Sequence, residues 1–260
     1  MRKIIRHITS FILLVFLSGQ TLAQESETTD FFTQIKNYNL SEILSADSFF
    51  AGESENANDR IKRAEILGFI GSDYQRFFIH FVSIIQNPIR PYEYLVYGKT
   101  KVKETICSFQ GTIIIRQART FDITDSPEFK QGFATCDVIL YEDNKQSSTG
   151  FIKGVLKSYF IIDPKGQFRY DALMIGADGF SNNQFMGSWT SYKTNASKKC
   201  NWGDYRIPES EELDSGAGDF YVDDKYLKNG WENYMLANSY DANEMESHKA
   251  KQKENEIWWK

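Results

Sequence analysis

The chain has 260 residues, a formal net charge of −5 and 15% aromatic residues. That length suits one large all-β domain with appendages. The acidic balance argues against a nucleic-acid binder, which needs a basic stripe to meet phosphates, so no nucleic-acid partner is expected.

The first 23 residues read as an export leader. Arg2, Lys3 and Arg6 form a positive start, Phe11 to Leu17 a short apolar run, and Thr21-Leu22-Ala23 a small-residue cleavage site. The apolar run is too short to span a bilayer, and no later stretch reaches spanning length. No cysteine directly follows the run, so a lipid anchor is not expected. The strands below have mixed faces, unlike the apolar-out, polar-in alternation of an outer-membrane barrel. The expected location is secreted or periplasmic, without stable membrane insertion.

Residues 24–60 are polar and weakly helical, with Ser41 placed to cap a segment through Phe50. The β domain is read over residues 61–208. Ile61 to Ile70 leads into Gln75 to Gln86, which is apolar on both faces and is expected to be covered on both sides. Strands follow at Tyr92 to Lys103, Thr105 to Arg116, Phe133 to Tyr141, Gly150 to Asp163 and Gln167 to Met174. Asp163-Pro164-Lys165-Gly166 is a turn, with proline and glycine at the positions that suit them. The densest stretch is Phe180 to Pro208. Its strands, Gln184 to Tyr192 and Cys200 to Ile207, flank a polar turn and carry Trp189, Tyr192, Trp202 and Tyr205. Residues 209–260 form an acidic loop and a charged helical tail ending in Trp258-Trp259. Eight strands joined by short turns predict an all-β fold: an antiparallel meander closing as a barrel, with helical flanks.

Gly187-Ser188-Trp189 resembles the G-x-W of lipocalin-like (calycin-type) barrels. The likeness covers three residues and falls on the seventh predicted strand, whereas the lipocalin motif lies on the first. What it implies is architecture alone.

No motif implies a reaction. The chain lacks G-x-S-x-G, H-E-x-x-H, a phosphate-binding glycine loop and C-x-x-C. No metal site and no cofactor are expected. After the leader only His80 and His248 remain, and His80 sits mid-strand among apolar residues, where a wall position is the commoner use. Asp137, Asp171, Asp204 and Glu93 lie within strands and offer carboxylates to a barrel mouth, although pointing to solvent or pairing with Lys and Arg is the favoured reading. Asp178, Ser181, Asn182 and Asn183 are oxygen-rich, but they also suit a turn. Cys107 and Cys136 are predicted to face inward on consecutive strands, which suggests a disulfide.

The aromatic hairpin is the expected binding surface. Trp202, Arg206, Tyr192, Asp204 and Asn183 combine rigid apolar area with groups that orient a polar end. Trp189 is expected in the core, with Trp202 and Arg206 exposed. The sequence thus favours an exported barrel that binds a small apolar or sugar-like ligand, or a partner, without catalysis. The alternatives are a secreted hydrolase or isomerase using mouth carboxylates with His80, and an envelope structural protein working through its flanks.

Overall fold

A computed structural model describes residues 27–54, 56–239 and 242–260; the leader lies outside these described residues. The alternation of apolar and polar side chains produces strands. In chain order these are β1 (Thr28–Asp30), β2 (Ser48–Phe50), β3 (Arg60–Lys62), β4 (Leu67–Ile70), β5 (Gln75–Gln86), β6 (Glu93–Val102), β7 (Thr105–Phe121), β8 (Lys130–Glu142), β9 (Gly150–Ile162), β10 (Phe168–Tyr170), β11 (Asn182–Ser191) and β12 (Ser197–Asp204). Among the described residues four α-helices join them: α1 (Phe32–Ile35), α2 (Ser41–Leu44), α3 (Glu232–Asn238) and α4 (Glu244–Glu254). The protein is mostly β.

Eight antiparallel strands form a ring. Each of β4, β5, β6, β7, β8, β9, β11 and β12 pairs with the next, and β12 returns to pair with β4. Closure removes the sheet edges that would otherwise template aggregation. The membership corrects one expectation. The predicted strand over residues 167–174 survives only as the three-residue β10, which pairs with the end of β9 outside the ring. Beyond Tyr170, Asp171 accepts the Leu173 backbone N–H and turns the chain away. The eighth ring strand is β4, which the sequence presents only as a lead-in.

Inward positions fill the ring. Phe77, Ile79, Val96, Phe109, Ile113, Val138, Leu140, Ile152, Leu156, Phe185 and Trp202 are all buried. The Phe185 and Trp202 rings stack at 3.6 Å and 11°. Glycine makes room for them. Gly154 and Gly187 face each other across β9 and β11, and a Cβ built on either would come within 2.6 Å or 2.5 Å of the Phe185 ring. The flanks complete the core. Ile35, Leu40, Ile43, Leu44 and Phe49 of the N-terminal flank are buried with the ring residues, and the Leu40 N–H donates to the Tyr94 hydroxyl. Burial pushes that phenol up to about 12.

A second core lies outside the ring. The outward side chains of β4, Leu67 and Phe69, pack with Tyr74, Ile207, Leu213, Phe220, Val222, Trp231 and Met235. The tail therefore folds back onto the ring, and it also covers the start of β5. There Phe78 meets Trp258 at 5.9 Å, and His80 stacks on Trp259 at 3.8 Å.

All three cysteines are buried and free, which corrects the disulfide between Cys107 and Cys136. Cys107 pairs with Thr100, beyond the last β7–β8 pair, whereas Cys136 pairs with Ile115. Eight residues separate these levels along β7, about 26 Å at strand rise, and a disulfide needs Cα atoms within about 7 Å. Burial raises the thiols of Cys107, to about 11, and Cys136, to about 12. A thiol reagent should therefore label none of the three within minutes on the native protein, and all three after unfolding in urea. Fast labelling of one thiol in the native state would contradict this placement.

Candidate functional site

The five residues expected to form one site lie in four places. Asn183 and Asp204 meet at one end of the ring. Asp204 ends β12, the residue is 2% exposed, and it accepts hydrogen bonds from Asn183 Nδ2 at 2.7 Å and the Tyr170 hydroxyl at 3.1 Å. Arg63, which the sequence does not single out, donates Nη2 to both Asp204 oxygens at 2.8 Å and 2.9 Å. Burial alone would lower the Arg63 guanidinium's pKa; the charge and hydrogen bonds of Asp204 outweigh it and raise it. Arg63 also donates to the Leu44 carbonyl, and Asn183 to that of Ile43. This end is a buried polar lock between the ring and α2.

Trp202 corrects the expectation of an exposed aromatic. It is 2% exposed and lies in the ring core between Phe185 and Phe77. It shares the inward face with Cys200 and Asp204. Arg206 is on neither face, because Tyr205 adopts a φ of 65° and ends the alternation. The Arg206 guanidinium donates to Asp214 and to the carbonyls of Gly216 and Gly218, which pins the acidic loop. It lines a cleft of about 730 Å³ between the ring and the tail, together with Glu65, Arg76, Tyr205, Tyr234 and Glu254. Both arginines of that cleft are paired, Arg206 with Asp214 just outside it and Arg76 with Glu254.

Glu65 makes the cleft pH-sensitive. Burial raises its carboxyl above the usual range, although the Trp258 indole N–H donates to it at 3.3 Å. A raised carboxyl contributes its full stability below the ordinary 4.5 and loses it as pH rises through the folded value. Glu65→Gln keeps the acceptor and removes the charge. Its thermal midpoint should exceed the wild type's at pH 8, and the gain should vanish toward pH 4.5. Equal midpoints at pH 8 would sink this assignment.

The carboxylates expected at the mouth do not gather around His80. Asp137 pairs with Arg116 on the outer wall, Glu93 with Arg90, and Asp171 receives Gln131 and the Leu173 N–H. His80 lies on the outer wall under Trp259, and burial there lowers its pKa. Among the described residues no cluster of His, Cys, Asp or Glu is placed to hold a metal ion.

Tyr192 lies at the opposite end of the ring, beside a residue just past the strand predicted over Phe133 to Tyr141. Glu142 is the last residue of β8. It continues the inward series Ala134, Cys136, Val138, Leu140, and that parity is the signal that finds it. Its carboxylate accepts from Thr100 Oγ1 at 2.5 Å, the Gly150 N–H at 2.9 Å and the Trp189 indole at 2.9 Å. Its carbonyl accepts from the Tyr192 hydroxyl at 3.2 Å.

On this fixed rim stands a dish of about 710 Å³, lined by Tyr97, Ser108, Phe109, Gln110, Tyr141, Glu142, Asp143, Asn144 and Tyr192. The register explains it. Tyr97 pairs with Gln110, and Gln110 with Tyr141, so two outward tyrosines flank one glutamine across three strands. Tyr97, Tyr141 and Tyr192 are 42%, 47% and 37% exposed. Among the described residues the Gln110 and Asn144 amides and the Tyr97 and Tyr141 hydroxyls make no hydrogen bond to protein. Comparisons with protein-family models, with curated proteins and with solved structures find no match.

Proposed function

We propose that the protein is an exported, non-catalytic binding protein. In this reading the ring is a lipocalin-like (calycin-type) barrel by strand order, but one whose side chains have taken the place of an internal ligand. Binding then moves to the tyrosine-lined dish on the rim. The observation that carries the reading is the contrast in polar satisfaction. The buried carboxylates of Asp204 and Glu142 are held by protein donors, whereas the dish leaves two amides and two phenols free beside exposed aromatic faces. The flanks are packed into the two cores, so they are less available to a partner than an envelope structural role requires.

The test has two arms. Mass spectrometry of the exported fraction should find a mature N-terminus near Gln24, and an intact Met1 on a cytoplasmic protein would refute export. A thermal-shift screen of sugars, amines, nucleosides and aliphatic acids should find stabilising compounds whose effect disappears in Tyr141→Ala. Hits retained in that variant would remove the dish as the binding surface, and turnover of any hit would remove the non-catalytic reading.

A further inference from the structure

Building on that reading, we infer that the dish is the deep part of a track for an uncharged oligosaccharide, with neighbouring sugar rings stacked on Tyr97 and Tyr141 and their hydroxyls held between them. Three features favour a chain of sugars. First, the aromatics form a row. Tyr97 and Tyr141 stand two strand spacings apart, about 9.6 Å, and the row continues from Tyr141 to Phe151 at 6.3 Å and from Phe151 to Tyr192 at 6.2 Å. A compact ligand needs one aromatic surface; a row suits an extended one.

Second, the groups between the rings are neutral and can both donate and accept. Gln110 rises between the two tyrosines, and Ser108 and Asn144 line the edge. An amide offers two donors and a carbonyl, which matches hydroxyls that themselves donate and accept. Aromatic faces meet the C–H faces of a pyranose, so one lining serves both sides of a sugar. Third, the charges are wrong for an anion. No Lys or Arg lines the dish, while Glu142 and Asp143 do. The Glu142 carboxylate already takes three donors, and Asp143 Oδ1 accepts the Lys145 N–H; the exposed Asp143 carboxylate still carries its charge, so a cation is the competing ligand that the test must separate from a sugar.

Isothermal titration of the full mature chain tests this with cellohexaose, xylohexaose, chitohexaose and maltohexaose, and with glucose and tetramethylammonium as contrasts. Tyr97→Ala and Tyr141→Ala remove exposed side chains, so the fold should persist. Tyr221→Ala, an exposed aromatic elsewhere on the chain, is the control. The expected result is that at least one hexaose saturates the protein, and that each dish variant weakens it by about tenfold. Tyr221→Ala should leave it unchanged, and glucose should bind at least about tenfold more weakly because it spans one ring only. Absence of hexaose binding, or binding indifferent to both dish variants, overturns the inference. If tetramethylammonium binds instead and Tyr141→Ala abolishes it, the sugar assignment falls and the dish survives as a ligand surface. If no probe binds, sugar or otherwise, the binding reading falls with it.

Discussion

Replacing Asp204 with alanine is expected to lower stability by about 3–5 kcal/mol, because it strands a buried cation. Arg63 is buried beside Asp204 and gives it a two-pronged contact. In the variant that guanidinium keeps only the Leu44 carbonyl. The Tyr170 hydroxyl loses its acceptor as well, and Asn183 keeps only the Ile43 carbonyl. Each group so abandoned carries a desolvation cost. Asp204→Asn keeps the shape and one acceptor and should lose less. Replacing the pair together, as Arg63→Met with Asp204→Leu, should recover much of the loss, because no charge is then left without a partner. Urea unfolding followed by far-ultraviolet circular dichroism gives the numbers. A loss below about 1 kcal/mol for Asp204→Ala would mean that water reaches this lock.

The second large effect concerns the tail. Arg76 is buried on the outer wall of β5, with its guanidinium carbon 4.5 Å, 4.8 Å and 5.3 Å from the ring centres of Phe78, Trp231 and Tyr234. Glu254 supplies its counter-charge through two contacts, at 3.1 Å and 2.6 Å. Glu254→Ala leaves that cation to three ring faces, and the stranded charge costs about 3 kcal/mol or more locally. The cheapest relief is for α4 to lift away. Trypsin should then cut at Lys249, Lys251 and Lys253 far faster than in the wild type, while the ring keeps its circular dichroism. Arg76→Met combined with Glu254→Met should restore resistance. Unchanged cleavage in Glu254→Ala would show that α4 is held by the tryptophans alone.

The strands were legible because one face of each is buried and period two survives in the residues. β4 was not, because Leu67, Gly68, Phe69 and Ile70 are buried on both faces, so no alternation marks them. The hairpin's aromatics were seen but assigned to the wrong side. Cys200 and Asp204 share the Trp202 face, and a buried cysteine among them points inward. Arg63 escaped notice because its partner is 141 residues away and nothing local marks the pairing. The dish was hidden for a related reason. Tyr97, Gln110 and Tyr141 come from three strands, and only the register sets them side by side. The sequence showed where aromatics are dense along the chain, whereas the site depends on where they are dense across the sheet.

The brevity of β4 has a kinetic consequence. It is four residues long, yet it joins β5 to β12 and so closes the ring. The β4–β12 pairs bring together residues about 130 positions apart, and that loop entropy is lost before any closing contact can offset it. Closure should therefore be a late step, after the hairpins from β5 to β9 have formed in chain order. The tail then lays Trp231, Met235 and Phe220 over the outward side of that same short strand. Until the tail arrives, the seam is the slowest part of the molecule to form and the first to exchange its amide protons.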